Sequence, residues 1–214
     1  MEIEAKFRIV QPEHFAIILA LKHLGEYTLE HQLPGEQQVN IYYDTPDQRL
    51  RAQQYGLRVR QIGERRILAF KGPAHVVDGN RFERAEWEWE LQTEQFHPMT
   101  WPDSEARIQA LELVGESPLQ PLLTIETYRQ YMIARYDGQE RAEFALDEGT
   151  FQAGSQKIPF RELEIELRPD GTHADFDALI AALSQHLPLI AEGRSKLAQG
   201  LALLQDGDRK GTYE

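Results

Sequence analysis

In four separate stretches of this chain, charge alternates with bulky apolar side chains at every second residue. That period belongs to a β-strand, where successive side chains point to opposite faces. In Glu2-Ile3-Glu4-Ala5-Lys6-Phe7-Arg8, the carboxylates Glu2 and Glu4 and the cations Lys6 and Arg8 share one face, and Ile3, Ala5, Phe7 and Ile9 share the other. Arg84-Ala85-Glu86-Trp87-Glu88-Trp89-Glu90-Leu91 and Glu162-Leu163-Glu164-Ile165-Glu166-Leu167-Arg168 repeat the pattern, and Leu57-Arg58-Val59-Arg60-Gln61 repeats it with cations alone. The apolar faces have to be covered, and helices are the natural cover. The charged faces then either meet water, as on a half-buried sheet, or face one another across an enclosed polar lumen. Alternation alone does not decide between the two, but its repetition favours the lumen. Carboxylates packed there would repel one another and raise their pKa values, which interleaved Lys and Arg and a bound cation would relieve. Carboxylates suit a hard divalent metal and cations suit phosphate, so such a strand suggests a metal–polyphosphate site.

The 214 residues suffice for one domain with a sizeable core. Composition is globular, with 41% hydrophobic residues, and the Trp, Tyr and Phe content argues against disorder. There is no cysteine, which excludes disulfides, thiolate catalysis and Cys-based zinc sites, and fits a reducing compartment. No apolar run approaches membrane-spanning length, and the N-terminus opens directly into a strand pattern, so the expectation is a cytoplasmic protein without membrane contact. The net charge of −12 disfavours nucleic-acid binding. A polyanionic small molecule is still admissible if cations are concentrated locally or metal ions accompany it.

Along the chain, helical spacing predicts a helix from Pro12 to Leu24 and a loop over 30–37 around Pro34-Gly35. Val39 to Tyr43 reads as a strand. Gly56–Ile62 and Arg66–Phe70 read as a hairpin around Gly63-Glu64, followed by a loop to Asn80. Phe82–Leu91 is a long strand, and Asp103 or Ser104 caps a helix to about Leu113. Strands follow at Leu122–Tyr136, Ala142–Leu146, Phe151 and Phe160–Arg168, with Asp137-Gly138 as a hairpin turn. Helices are expected at Ala174–Leu187 and Ser195–Leu204. The sum is about eight strands and three or four helices: an α+β fold with a mainly antiparallel, closed or nearly closed sheet. Residues 1–205 form the single domain and 206–214 a polar tail.

At this point the chain resembles the CYTH superfamily, the group of class IV adenylyl cyclases, thiamine triphosphatases and inorganic triphosphatases. The likeness rests on Glu2-x-Glu4-x-Lys6, Tyr43-Asp44-Thr45, Arg58-x-Arg60, Lys71-Gly72-Pro73, Arg84-x-Glu86-x-Glu88, Arg129, Leu146-Asp147-Glu148, Glu162-x-Glu164-x-Glu166 and Ser195-Lys196, in the family's order over residues 1–200. It implies an eight-stranded antiparallel tunnel with a charged interior, a triphosphate substrate and Mg²⁺ or Mn²⁺. By the same resemblance Glu2, Glu4, Glu162 and Glu164 face metal, although any two of Glu162, Glu164 and Glu166 fit the motif. Lys6, Arg58, Arg60, Lys71, Arg84, Arg129 and Lys196 hold phosphate, with Arg8 added from the face it shares with Lys6. Glu4, Lys6, Arg58, Lys71 and Glu164 make the expected catalytic set. Glu86, Glu88, Asp147 and Glu166 are lumen carboxylates whose roles stay open. Ser195-Lys196 followed by Gly200-Leu201 is more similar to the triphosphatase branch.

Physical chemistry agrees with this division by charge sign. A triphosphate of about four negative charges has to be neutralised and aligned. Arg presents a planar fork to phosphate and Lys a mobile point charge, while carboxylates are suited to fixing metal ions. The expected reaction is hydrolysis of tripolyphosphate to pyrophosphate and phosphate. The alternatives are a cyclase making cyclic AMP from ATP, a thiamine triphosphatase, and a non-catalytic polyphosphate-binding module. A homodimer is left open. The seven histidines show no metal-ligand spacing. Trp87 and Trp89 belong on the outer, core face, Ser195 is a helix cap, and Gly72 and Gly149 serve turns. Tyr42, sharing a face with Asn40 and Asp44, is the one aromatic residue expected to reach a base from the lumen.

Overall fold

The computed structural model describes residues 2–78, 81–153 and 156–202. In chain order its elements are β1 (Glu2–Arg8), α1 (Pro12–Ala20), β2 (His23–Leu24), β3 (Tyr27–Asp44), α2 (Arg49–Ala52), β4 (Gly56–Ile62), β5 (Arg65–Lys71), β6 (His75–Asp78), β7 (Arg81–Arg84) and β8 (Glu86–Glu90). There follow α3 (Glu105–Val114), β9 (Gln120–Tyr136), β10 (Gln139–Ala153), β11 (Gln156–Leu167), α4 (His173–Ser184) and β12 (Ile190–Ala191), and a last helical segment spans 196–202. The expected tail, 206–214, lies outside the described residues.

All twelve strands join one sheet, along the path β6-β7-β1-β11-β10-β9-β3-β4-β5-β8, with β12 added to β1 and β2 to β3. The α+β class and the antiparallel pairing are as expected. The count of about eight strands is not, and the hydrogen-bonded path does not return to its start. Its last strand, β8, is instead the chain continuation of β7, with only Ala85 between them. The stretch 81–90 therefore pairs with β1 through its first half and with β5 through its second.

Three local expectations change. Residues 30–37 are not a loop but the middle of β3, whose pairing with β9 slips between Gln32 and Glu36. Pro34, with no N–H to give to a ladder, sits in that bulge, where no pairing is required of it. The loop after Lys71 contains β6. The first helix ends at Ala20, and Leu24 is buried from β2 instead of from a helix. The turn at Asp137-Gly138 has positive φ at both residues, 50° and 75°, as a two-residue hairpin with strand-like twist requires. Gly149 is not at a turn. It lies within β10, where a Cβ would stand 2.2 Å from the Glu126 carbonyl oxygen, so close strand approach excludes a side chain.

The apolar strand faces are covered as the alternation requires. Phe7, Phe144, Leu146, Leu163 and Ile165 pack under α1 and α4, which contribute Ile18, Phe176, Leu179 and Leu183. Each such side chain contributes about 1.5–3 kcal/mol relative to exposure. Helix α4 begins with a reciprocal cap between Thr172 and Asp175, and Asp175 also accepts from the Tyr27 hydroxyl at 2.8 Å. Burial and that hydrogen bond push the Tyr27 pKa up to about 12. Trp87 and Trp89 pack with Phe70, Trp101 and α3 in a second core, on the outer face as expected. Ser104 caps α3, its hydroxyl accepting from Arg107 N at 3.2 Å.

Candidate functional site

With the apolar faces turned out to the helices, the charged faces of β1, β4, β5, β8, β9, β10 and β11 enclose a cavity of about 990 Å³. Among the described residues, ten Lys and Arg and six Glu line it. The lining is therefore cationic in a chain of net charge −12.

Strand β4 brings Arg58 and Arg60 to this cavity, opposite Tyr42 and Asn40 of β3. Arg60 Nε donates to Asn40 Oδ1 at 3.2 Å, and both guanidiniums stand 3.8 Å from Glu88 Oε1. Arg58 is only 7% exposed, yet among the described residues its Nε and Nη2 have no hydrogen-bond partner. Burial works against its charge, but Tyr42, Glu86 and Glu88 outweigh that and its pKa rises, so the cation keeps its charge while lacking hydrogen-bond acceptors. Burial, and after it the neighbouring charges of Arg58 and Arg129, push the Arg60 pKa down to about 10. Arg60 is thus crowded by other cations, and Arg58 beside it is short of hydrogen-bond acceptors.

On β1, Glu4 Oε1 takes both Lys6 Nζ and Arg84 Nη2 at 2.8 Å, and Lys71 pairs with Glu86 at 2.8 Å. Across β10 and β11 the balance reverses. Arg129 grips Asp147 with Nε at 2.6 Å and Nη2 at 2.5 Å, and reaches Glu164 Oε2 at 2.7 Å. Lys196 Nζ contacts Asp147 at 2.9 Å, Glu164 at 2.7 Å, and Glu162. Gln199 Nε2 donates to the other Glu162 oxygen at 2.7 Å. Burial works to raise all three carboxyls. For Asp147 and Glu164 the cations Arg129 and Lys196 outweigh it, and Glu164 is held well below the ordinary carboxylate range. For Glu162 burial wins and its pKa rises.

Asp147, Glu162 and Glu164 bring one oxygen each within 4.8 Å of one another, an all-oxygen donor set of the kind hard divalent cations take. The structure thus separates the expected metal-facing residues. Glu4, Glu164 and Glu166 line the cavity, and β1–β11 pairing sets Glu4 against Glu166 and Lys6 against Glu164. Glu162 is buried and is absent from the lining. The Glu2 side chain lies outside the described residues. Lys6, Arg58, Arg60, Lys71, Arg84, Arg129 and Lys196 all line the cavity, as do Glu86 and Glu88. Asp147 is fully buried behind Arg129. Arg8 is exposed and does not line the cavity: at the end of β1 its side chain passes beyond the enclosed part, near Glu192.

Glu143, Tyr131, Arg168, Arg51 and Arg194 line the cavity without having been expected there. The first two were legible, because Glu143, Ala145 and Asp147 alternate on one strand face and Tyr131 follows Arg129 by two residues. Arg51 comes from the short helix α2 and Arg194 from an irregular segment, and strand alternation carries no signal in either. Tyr42 does line the cavity, whereas Asp44 is tied to the backbone of Thr45, Leu50 and Arg51. Ser195 acts as a cap, accepting from Ala198 N at 3.1 Å.

Comparison with known proteins bears on this site. The CYTH domain family model matches residues 1–201. An inorganic triphosphatase of Haemophilus influenzae is 30% identical over 186 residues, 85% of this chain and 50% of that protein. The chain thus spans about half the length of that relative. Among solved structures, a Hippeastrum protein named for adenylyl cyclase and described as having a dominant triphosphatase activity is similar, with a TM-score of 0.65 at 20% identity over 97% of this chain and 96% of its own. A Bacillus halodurans protein named for adenylate cyclase gives 0.62 at 20% identity, over 93% and 96%. No helix among the described residues is long and apolar enough to cross a membrane.

Proposed function

Because the chain belongs to the CYTH family, we propose that its cavity hydrolyses a linear triphosphate, tripolyphosphate in first place, to pyrophosphate and phosphate with Mg²⁺ or Mn²⁺. One observation carries this reading: Arg58 is buried with two nitrogens that lack hydrogen-bond acceptors among the described residues, beside Arg60 and Arg129, in a cavity whose lining is cationic. An anion of several charges satisfies all of these at once. Among the described residues the lining carries more cations than glutamates, as a triphosphate of about four negative charges requires. The stretch 81–90, shared between β1 and β5, links the two sides of the cavity through the chain itself, which supports reading it as a tunnel.

In this reading Arg58 and Arg60 hold one end of the triphosphate, and Lys6, Lys71 and Arg84 hold oxygens further along. Glu4 and Glu166, paired across β1 and β11, would offer oxygens to a divalent cation, and Glu164 would join them by exchanging its contact with Lys196. When bound, that cation would neutralise phosphate oxygens and keep these carboxylates from repelling the substrate. Arg129 is kept in place by Asp147 and Glu164. Fixed charges of this kind need no reorganisation as negative charge shifts to the leaving phosphate.

ATP is a second reading, favoured by the Tyr42, Tyr55 and Leu201 surface at the cavity, which offers contacts to a base. Product analysis with tripolyphosphate, ATP and thiamine triphosphate, each with Mg²⁺ or Mn²⁺ and with excess chelator, separates these. The account predicts phosphate and pyrophosphate from tripolyphosphate at the highest rate, and none with chelator. Faster production of cyclic AMP from ATP would replace it with the cyclase reading.

A further inference from the structure

Beyond Arg60 and Arg129 the cavity is built differently from its middle. On β9 the lining residues are Arg129 and Tyr131, and the next residue on that face, Ile133, is buried and does not line the cavity. On this strand the wall therefore stops at Tyr131. Its ring lies 5.8 Å from the Arg129 guanidinium carbon, and burial raises its pKa against the pull of that cation, so the hydroxyl keeps its proton. The hydroxyl donates to Glu36 Oε2 at 3.2 Å and accepts from Gln38 Nε2 at 3.1 Å. Gln38, itself buried, also donates to Glu36 Oε2 at 3.1 Å.

Glu36 differs from the other carboxylates at this end. Glu143 pairs with Arg168, and Glu88 lies 3.8 Å from both Arg58 and Arg60. The slip in β3 sets Glu36 opposite Arg129 in register, a place that Pro34 would otherwise take. Arg129 nevertheless turns to Asp147 and Glu164, and among the described residues no Lys or Arg comes within ion-pair distance of Glu36. Its two partners, a phenol and an amide, are neutral, so its charge stays uncancelled behind the last residue of the wall. A phosphate chain lying along Arg58, Arg60 and Arg129 meets at Tyr131 a hydroxyl whose proton is already given away. Behind that hydroxyl stands a negative charge, and one more phosphate there would be repelled.

We propose that Glu36, held in place by Tyr131 and Gln38, limits the length of the phosphate chain that the cavity accepts, disfavouring linear phosphates longer than three. Glu36 is thus a specificity-determining residue. It acts through its charge on the choice between chain lengths and takes no part in the cleavage step. Specificity of this kind comes from an unpaired charge set against the wrong ligand, in addition to the contacts made with the right one. The inference rests on the proposed reading of the cavity as a triphosphate site and deepens it.

The test is the ratio of kcat/KM for linear tetrapolyphosphate to that for tripolyphosphate, measured on the full chain with Mg²⁺. The wild type should favour tripolyphosphate. Glu36→Gln keeps the size of the side chain and removes its charge, and should raise the ratio by about tenfold. That is the effect of one unit charge about 10 Å away at an effective dielectric constant of about 20. Glu36→Asp keeps the charge and should keep the wild-type ratio. If Glu36→Gln does not fold, Glu36→Ala carries the same expectation. A merely structural role would change both substrates alike and leave the ratio where it was. An unmoved ratio in a folded variant without the charge overturns the proposal. So does a ratio in Glu36→Asp as high as in Glu36→Gln, or a wild type indifferent to chain length. If the wild type cleaves neither phosphate, the proposed reaction itself fails and this inference falls with it.

Discussion

On β10 and β11, every oxygen of Asp147, Glu162 and Glu164 receives a hydrogen bond from Arg129, Lys196 or Gln199, whereas on β4 the Arg58 guanidinium leaves Nε and Nη2 without acceptors. Both walls belong to the same charged interior, and both side-chain groups are buried. The first wall is complete as folded, so its charges hold the structure. The second leaves hydrogen-bond donors unused, and in the proposed reading an anion takes them. Charge density alone would not have told the two apart, but hydrogen-bond satisfaction does.

The comparison breaks most sharply at Asp147. Asp147→Ala strands Arg129 and Lys196 beside the remaining glutamates, and breaking a buried pair in this way costs about 3–5 kcal/mol. Chemical denaturation should show that loss. A variant as stable as the wild type would mean the β10–β11 wall is not a folding device. Arg58→Ala should do the reverse. Losing a charge-assisted contact to phosphate should reduce kcat/KM by the equivalent of about 1.5–3 kcal/mol, while stability falls by less than in Asp147→Ala, because Nε and Nη2 make no hydrogen bond that the substitution would break. A fall in stability with unchanged kcat/KM would interchange the two walls.

Acidification sharpens the same contrast. Asp147 and Glu164 have folded pKa values below their unfolded ones, about 3.9 and 4.3. Their contribution is therefore fully present above about pH 4.3 and is lost as pH falls toward the lower folded values. Glu162 is shifted the other way and partly offsets this. In metal-free buffer the wild type should lose stability below that pH, and Asp147→Asn should show a shallower decline. The smallest effect lies outside both walls. Tyr27, raised to about 12, stabilises the fold fully below about pH 10, and that contribution is lost as pH rises toward 12. Tyr27→Phe should flatten this alkaline decline without touching catalysis. A change in kcat/KM there would show that the fold's outer layer and the cavity are coupled.

Much of this arrangement is legible in the sequence because period-two alternation reports directly on which face a side chain takes. Glu4 with Lys6, Arg58 with Arg60, and Glu164 with Glu166 are found on the cavity wall for that reason, with Trp87 and Trp89 on the opposite side. Alternation does not report where along a strand the enclosure ends, so Arg8 and Glu162 share the right face yet stay out of the lining. It also says nothing of close backbone approach, which is why Gly149 reads as a turn glycine and lies within a strand. The bulge at Pro34 is a long-range effect: β9 supplies the pairing on either side of it, and a local reading sees only a turn. The ammonium of Lys196 among three carboxylates depends on the docking of 193–202, which no local pattern encodes.

The central claim is that Arg58 is unsatisfied because its acceptor is the substrate. Calorimetric titration of tripolyphosphate into the wild type and Arg58→Ala, with matched salt and an inactive metal condition, tests it directly. The account predicts affinity lower by about ten- to a hundredfold in the variant, corresponding to a lost charge-assisted contact. Equal affinities, with both proteins folded, would contradict it.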